Sequence, residues 1–479
     1  MKILFLISEA GPFAKAGGLG DVGGSLPRAI NKNRGEVRVM MPLYGTIPSE
    51  LRQRMRHLAN FQVSLSWRRQ PCGLWTVEHR GVHYYFIASE YYFGRGGIYG
   101  YEDDVERFAF FCRAALDSLI YLEDFRPELL HCHDWHTALV PVMLRKFYRH
   151  DPYYYGMKTL LTIHNLKHQG ILPWSALGDL LGLGERTQAA SWLEHYGVIN
   201  CLKGGLVAAD GITTVSPSYA EEIQNSFYGE GLDHIVRDRR ARLWGILNGI
   251  DEEQYNPATD PYLFANYTNL EGKAANKLAL QRKLKLPEDE SIPVLALVSR
   301  LVPQKGLDLI AHILGELLQE HVQLVVLGMG EKRYEEMFRY FAGHYPDRVA
   351  VRITFDEALA RQIYGGADML LMPSLFEPCG LAQMIAMRYG TVPIVRETGG
   401  LKDTVIPYNQ YTGEGTGFSF ANYNAHELLF TAQKAVRIYR EEKDTWQRLR
   451  AQAFQQDFSW GNSAGQYVQL YTQLIQEAV

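Results

Sequence analysis

Lys15 stands in KAGGLGDVGG (15–24), a few residues after the apolar run KILFLIS (2–8). Glycine lets a ligand approach backbone N–H groups closely. The stretch therefore suits a phosphate or a sugar held against the main chain; a flexible surface turn is the alternative. Arg300 and Lys305, in RLVPQKG (300–306), bring two positive charges together. Such a pair suits a diphosphate, above all one that gains negative charge as it departs; a solvated helix start is the alternative. Glu377, in SLFEPCGL (374–381), precedes a proline in a loop that feeds a helix. There the backbone N–H groups of Cys379, Gly380 and Leu381 would face an anion, unless the carboxylate simply caps the helix. HCHDWH (131–136) offers metal-type ligands, because His131 and His133 share one face of a strand. No cysteine or histidine pair elsewhere has zinc-finger spacing, and Asp134 is suited instead to accept hydrogen bonds from hydroxyls. Phe355 is placed either to cover a base or to fill a core. The sequence contains no D-x-D, which removes one way of holding a diphosphate through a metal. The charge then falls on Arg300, Lys305 and helix dipoles.

Of two nucleotide-binding motifs, one is disfavoured by position and the other is missing. GLGDVG (18–23) matches G-x-G-x-x-G, but about ten residues separate Gly18 from the apolar run, and the next run, EVRVMMP (36–42), has no acid after it. The phosphate-binding pattern G-x-x-x-x-G-K-[ST] is absent.

These residues need elements to hold them. Buried-strand candidates lie at 2–8, 37–41, 83–88, 128–132, 158–163 and 211–215, and 106–122 has helical periodicity. Turn chemistry at 245–261 marks a domain boundary. Beyond it strands (292–299, 322–328, 348–353, 368–374, 391–395) alternate with helices (306–320, 331–343, 357–365, 380–389), and the tail 463–478 reads as a helix. This alternation predicts an α/β protein of two doubly wound domains with parallel sheets. Domains are expected at 1–248 and 249–456, followed by a C-terminal helix over 457–479 that returns to the first domain. In such folds ligands bind at the carboxyl ends of strands, and six strand ends here carry glycine, histidine or charge.

Composition narrows the class. The chain has 479 residues, 47% hydrophobic and 21% charged, enough for full cores. A net charge of −4 argues against a nucleic-acid partner. Five scattered cysteines without C-x-x-C suit reduced thiols and a cytoplasmic setting. The N-terminal run ILFLI is only five residues long and meets Glu9, whereas a signal peptide needs about 7–15 apolar residues. No stretch approaches the roughly 18 apolar residues of a membrane span.

Several motifs occur in the order seen in bacterial glycogen synthases and plant starch synthases. They are K-x-G-G-L-G-D-V, H-x-H-D-W, TIHNLKHQG (162–170), TTVSPSYAEEI (213–223), LNGID, SRLVPQKGLDL, GGADMLLMPSLFEPCGL (365–381) and YGTVPIVRETGGLKDTV (389–405). The chain resembles that family from residue 1 to about 405. The resemblance implies two Rossmann-like domains facing a deep cleft, the GT-B fold. It implies retaining transfer of glucose from ADP-glucose to the 4-hydroxyl at the non-reducing end of an α-1,4-glucan such as glycogen. It implies no metal or other cofactor, no nucleic acid and no membrane. Position 385, eight after Glu377, is Ile, as in glycogen and starch synthases, whereas many retaining relatives carry E-x7-E.

Carried over by position, Lys15 and the Gly17–Gly18 backbone resemble diphosphate contacts, and Asp21 a residue near donor and acceptor. Asp134 and His164 match positions near the reacting glucose, where the His164 carbonyl would face the anomeric carbon. Asn248 matches a sugar contact. Arg300 and Lys305 match the pair on the leaving diphosphate, and Glu377 matches the essential acid. Phe355 sits where an aromatic stacks on adenine. Cys379, Gly380 and Leu381 complete the donor set. Three departures stand out: Ala16 for a usual threonine, Leu375 for a common arginine, and YYFGRGG (91–97) without the usual aspartate before Arg95. No carboxylate nucleophile is evident for a double displacement, so a front-face transfer is expected. The alternatives are the same reaction with UDP-glucose and a non-catalytic glucan-binding protein. A phosphorylase lacks its pyridoxal-lysine motif here, and a nicotinamide enzyme fails on the motif spacing above.

Overall fold

A computed structural model of the chain describes residues 1–33, 35–122 and 124–477. The chain divides into two units, Met1–Gly249 with Trp460–Val479, and Ile250–Ser459.

The short apolar runs of the first unit become strands buried on both faces, as parallel strands covered by helices must be. In chain order the strands of this unit are β1 (Lys2–Leu6), β2 (Glu36–Pro42), β3 (Arg56–Leu65), β4 (Arg68–His79), β5 (Val82–Ala88), β6 (Leu129–His133) and β7 (Lys158–Ile163), then β8 (Ile171–Pro173), β9 (Glu194–His195), β10 (Val198–Asn200), β11 (Gly211–Thr214) and β12 (Leu243–Gly245), of which β1, β2, β5, β6, β7 and β11 are the buried apolar runs. The large sheet runs β12-β11-β7-β6-β1-β2-β5-β4-β3, while β8, β10 and β9 form a small sheet of their own. From β12 to β5 every pairing is parallel. Strand order reverses between β1 and β6, the switch point where a doubly wound sheet opens a crevice.

The first sheet is not wholly parallel. β3 and β4 form an antiparallel hairpin that joins β5 antiparallel. In β3 the buried Val63 and Leu65 alternate with exposed polar residues, and in β4 the buried Cys72–Leu74 follow a polar start, so no long apolar run announces it. Ser66, in the left-handed region at φ 55°, makes its tight turn. The periodicity at 106–122 resolves into a helix over Asp104–Ser118 and a 3₁₀ turn over Leu119–Tyr121. The tail helix spans Trp460–Gln476 and lies against the helix Gly18–Lys32. Its buried face is Trp460, Ala464, Tyr467, Tyr471 and Leu474, the spacing of a helical stripe. Residues 478 and 479 of the expected tail lie outside the described residues.

The second unit follows the expected alternation. Its strands are β13 (Val294–Val298), β14 (Gln323–Leu327), β15 (Val349–Arg352), β16 (Met369–Met372), β17 (Val392–Arg396) and β18 (Phe418–Phe420), all parallel in the order β15-β14-β13-β16-β17-β18. This is a Rossmann-type order with its switch point between β13 and β16. The helix expected from 380 starts only at Ala382, because Gly380 turns at φ 71° before it.

Candidate active site

In the first unit the candidate residues follow β1, β6 and β7, near the switch point, except Asn248, which follows the edge strand β12. Glu9 organises the loop after β1. It is 4% exposed. Its Oε2 accepts the backbone N–H groups of Ala16 (2.5 Å) and Gly17 (3.1 Å), and its Oε1 accepts the Tyr99 hydroxyl at 3.0 Å. Burial pushes its carboxyl above the ordinary range, against the pull of those donors. At sequence level Glu9 was visible only as the acid that ends an apolar run. Lys15 Nζ donates to Asp21 Oδ1 at 2.7 Å, across the first turn of the helix Gly18–Lys32.

The glycines of this loop divide into two groups. A Cβ at Gly23 would lie 2.6 Å from the Glu9 carbonyl oxygen, and one at Gly24 2.7 Å from that of Gly11. These two let the helix sit against the 9–11 backbone. Gly17 and Gly18 are exposed, and a Cβ at Gly17 would meet nothing within 4 Å. Only this pair leaves bare backbone for a ligand, at the start of a helix with no side-chain cap.

Asp134 immediately follows β6 in the left-handed region, φ 57°. Such a conformation in a non-glycine residue is sustained by its surroundings. Here Oδ1 accepts the backbone N–H of His164 at 2.7 Å and of Asn165 at 3.3 Å, so Asp134 fixes the backbone that leaves β7. Burial pushes its carboxyl up to about 7. Burial pushes the His164 imidazole down to about 3, so it is neutral at pH 7, and its Nε2 lies 3.0 Å from His133 Nδ1. His131 bonds Tyr471 Oη through Nδ1 (2.8 Å) and Thr162 Oγ1 through Nε2 (2.6 Å). Both of its ring nitrogens are therefore engaged inside the core. Among the described residues no group of three or more His, Cys, Asp or Glu is arranged to hold a metal ion. Asn248 is 6% exposed, and its Oδ1 accepts no hydrogen bond from the described residues. Arg95 is held by both Asp103 carboxylate oxygens at 2.6 Å, which supplies an acid where the sequence lacks one before Arg95. The buried Arg107 donates to the Tyr92 and Ile98 carbonyls and so ties down the same loop, a role that its type and spacing do not signal.

In the second unit the candidates flank the β13/β16 switch point. A cleft of about 170 Å³ is lined by Ser299, Arg300, Lys305, Glu377, Gly380 and Leu381. Lys305 Nζ pairs with Glu377 Oε2 at 2.6 Å, and Ser374 Oγ donates to the same oxygen at 3.0 Å. The carboxylate thus faces a cation and a hydroxyl rather than capping the following helix. Arg300 is exposed and makes no ion pair among the described residues. Two glycines fix the pair. Gly306, at φ 68°, lets the lysine loop pass the Pro373 carbonyl, where a Cβ would lie 2.0 Å from the oxygen. Gly399, at φ 45°, passes the Glu377 carbonyl equally closely, and Gly400 N–H donates to that carbonyl at 3.1 Å. Leu375 lies between these loops; its N–H donates to the Gln304 carbonyl, and its own carbonyl accepts from Arg396 at 2.6 Å. Cys379 is buried beneath the loop at 5% exposure. Phe355, three residues beyond β15, is 77% exposed, so it does not fill the core.

The first unit matches a family described as the starch synthase catalytic domain (residues 2–238), and the second matches glycosyl transferases group 1 (residues 279–453). A glycogen synthase from Anoxybacillus flavithermus is 54% identical over 477 residues, covering 99% of this chain and 98% of that protein. The structure of the catalytic domain of starch synthase IV from Arabidopsis thaliana, bound to ADP and acarbose, is similar with a TM-score of 0.91 and 33% identity over 99% of both chains. Sucrose-phosphate synthase from Thermosynechococcus elongatus shares the fold, with a TM-score of 0.62 and 18% identity over 99% of this chain and 98% of that one. Full-length identity of this order, joined to both domain matches, means that this chain belongs to the glycogen synthase/starch synthase family of glycosyltransferases, with the GT-B fold.

Proposed function

We propose that the chain transfers glucose from ADP-glucose to the non-reducing 4-hydroxyl of an α-1,4-glucan, with retention at C1 and without a metal. The observation that carries this reading is the cation pair at the β13/β16 switch point, with Lys305 anchored on Glu377 and, beside it, Arg300 without an ion pair among the described residues. Cations placed where charge develops favour the transition state over the bound substrate. In this reading Arg300 and Lys305 take the diphosphate, and Gly380 and Leu381 line the donor beside Glu377, with Cys379 buried beneath them. The exposed Phe355 covers the adenine. In the first unit Lys15, the Gly17–Gly18 backbone and Asp21 are the phosphate-binding candidates. Asn248 gives its free acceptor to a sugar hydroxyl, and Asp134 presents the His164 carbonyl to the developing oxocarbenium ion. ADP in the Arabidopsis relative favours adenine over uracil.

The C1–O bond to the β-phosphate breaks and the C1–O4 bond of the glucan forms on the same face. The 4-hydroxyl proton passes to the departing phosphate oxygen. Glu377 is already engaged by Lys305 and Ser374, so it orients the donor instead of attacking C1. Isolation of a covalent β-glucosyl ester on Glu377 of the parent enzyme during turnover would refute that step. The assay of the whole reading is incorporation of labelled glucose into glycogen from ADP-glucose and, in parallel, from UDP-glucose, with and without EDTA. Strong EDTA-indifferent incorporation from ADP-glucose is expected. Preference for UDP-glucose overturns the base assignment, and no incorporation from either donor leaves a glucan-binding protein.

A further inference from the structure

The second unit has another, larger cavity. Asp368 and Glu290, which line it, precede β16 and β13. It therefore lies at the amino edge of the parallel sheet, whereas Arg300, Lys305 and Glu377 lie at the carboxyl edge. Its volume is about 840 Å³, within the range of small-molecule sites.

Four cations line it, and they are unequally compensated. Lys277 pairs with Asp368 at 2.8 Å. Lys273 is 3% exposed, and its Nζ donates only to neutral acceptors: the carbonyls of Tyr364, Gly365 and Tyr389 and the Thr391 hydroxyl. Arg450 likewise reaches only Gln447 Oε1 and the Leu270 carbonyl, both at 3.3 Å. Lys443 is exposed, with its ammonium 4.5 Å from the Tyr439 ring centroid. Glu271 and Glu290 are solvent-exposed on the rim and form no ion pair with Lys273 or Arg450 among the described residues. Burial, and then the repulsion between Lys273 and Arg450, lowers the affinity of Lys273 for its proton; burial does the same for Arg450, and the attraction of Asp368 opposes the shift in both. Asp368, the one buried carboxylate among the lining residues, is already paired with Lys277 and is shared by Lys273 and Arg450, so the cations outnumber it and favour an anion in the space they line.

We propose that this cavity binds a small phosphorylated molecule, with its phosphate held by Arg450 and Lys443. A guanidinium fork matches phosphate oxygens bidentately. The volume exceeds that of a bare phosphate, and the apolar wall, which includes Tyr439 and Phe454, suits a ring carried on it.

The test is calorimetric titration of the full chain with glucose 1-phosphate and with inorganic phosphate. It is done in a Lys305→Ala background, where the cleft at the other edge has lost one cation. Saturable binding is expected, weakened about tenfold or more by adding Arg450→Gln and in the same direction by adding Lys443→Gln. Lys443 is exposed, so its replacement tests the site even if Arg450→Gln fails to fold. Unchanged affinity in both added variants overturns the proposal. So does the absence of binding of either probe up to about 10 mM, weaker than the affinity range of ordinary small-ligand sites.

Discussion

Replacing Lys305 with alanine has two separable consequences. The side chains of Lys305 and Glu377 are 17% and 9% exposed, so the substitution leaves a nearly buried carboxylate with only the Ser374 hydroxyl. Breaking a fully buried pair costs about 3–5 kcal/mol. The lysine is slightly exposed and water can enter the space it vacates, so about 2 kcal/mol is expected here. For a unit of this size that corresponds to a fall of about 4–8 °C in the melting of the second unit. Turnover falls separately, by about 10²–10³-fold, the scale of losing one donor to a departing charge. The double variant Lys305→Ala/Glu377→Gln separates the two effects. It carries no stranded charge, so its melting temperature recovers most of the loss while glucose incorporation stays low. Scanning calorimetry and the labelled-glucose assay on the three proteins decide the matter. A single variant that melts like the parent refutes the buried-pair argument, and a double variant that regains turnover refutes the leaving-group role.

Gly399→Ala places a Cβ 2.0 Å from the Glu377 carbonyl oxygen at a positive φ; it costs stability on the order of 1–3 kcal/mol and, by displacing Glu377, lowers kcat more than it raises KM. Phe355→Ala raises KM for ADP-glucose by roughly tenfold and leaves melting unchanged, because the ring is 77% exposed. The Asp134 carboxyl, raised to about 7 in the folded protein, contributes stability that is complete below the ordinary aspartate range near 4 and is lost as pH rises through about 7. Asp134→Asn is therefore more stable relative to the parent at pH 8 than at pH 4, as urea midpoints at the two values will show; a difference that does not grow with pH contradicts the assignment.

The strands of the second unit were legible because each is a short apolar run buried on both faces, such as Val294, Leu295 and Ala296 in β13. β18 was not, since three residues carry no period. The β3–β4 hairpin hides its apolar residues among arginines, and its partner β5 gives no hint of antiparallel neighbours. Charged residues at strand ends pointed to Arg300, Lys305 and Glu377, but not to how they are held. Gly306 and Gly399 act through a close approach between loops about 70 and 20 residues away in sequence, a distance no local pattern encodes. Glu9, Arg107 and Lys273 are ordinary charged residues on paper, and burial against backbone partners gives them their roles.

The return of the helix Trp460–Gln476 to the first sheet sets an order of events during synthesis. Residues 250–459 leave the ribosome between the two parts of the first unit, and at about 5–20 residues per second that takes roughly 10–40 s. Through that interval the helix Gly18–Lys32 lacks its partner, and His131 waits for a hydroxyl 340 positions further along. The second unit, continuous in the chain, has all its residues in hand before the first one does. The earliest-made unit is thus the last to be completed, and the face that the helix Trp460–Gln476 covers stays open for tens of seconds.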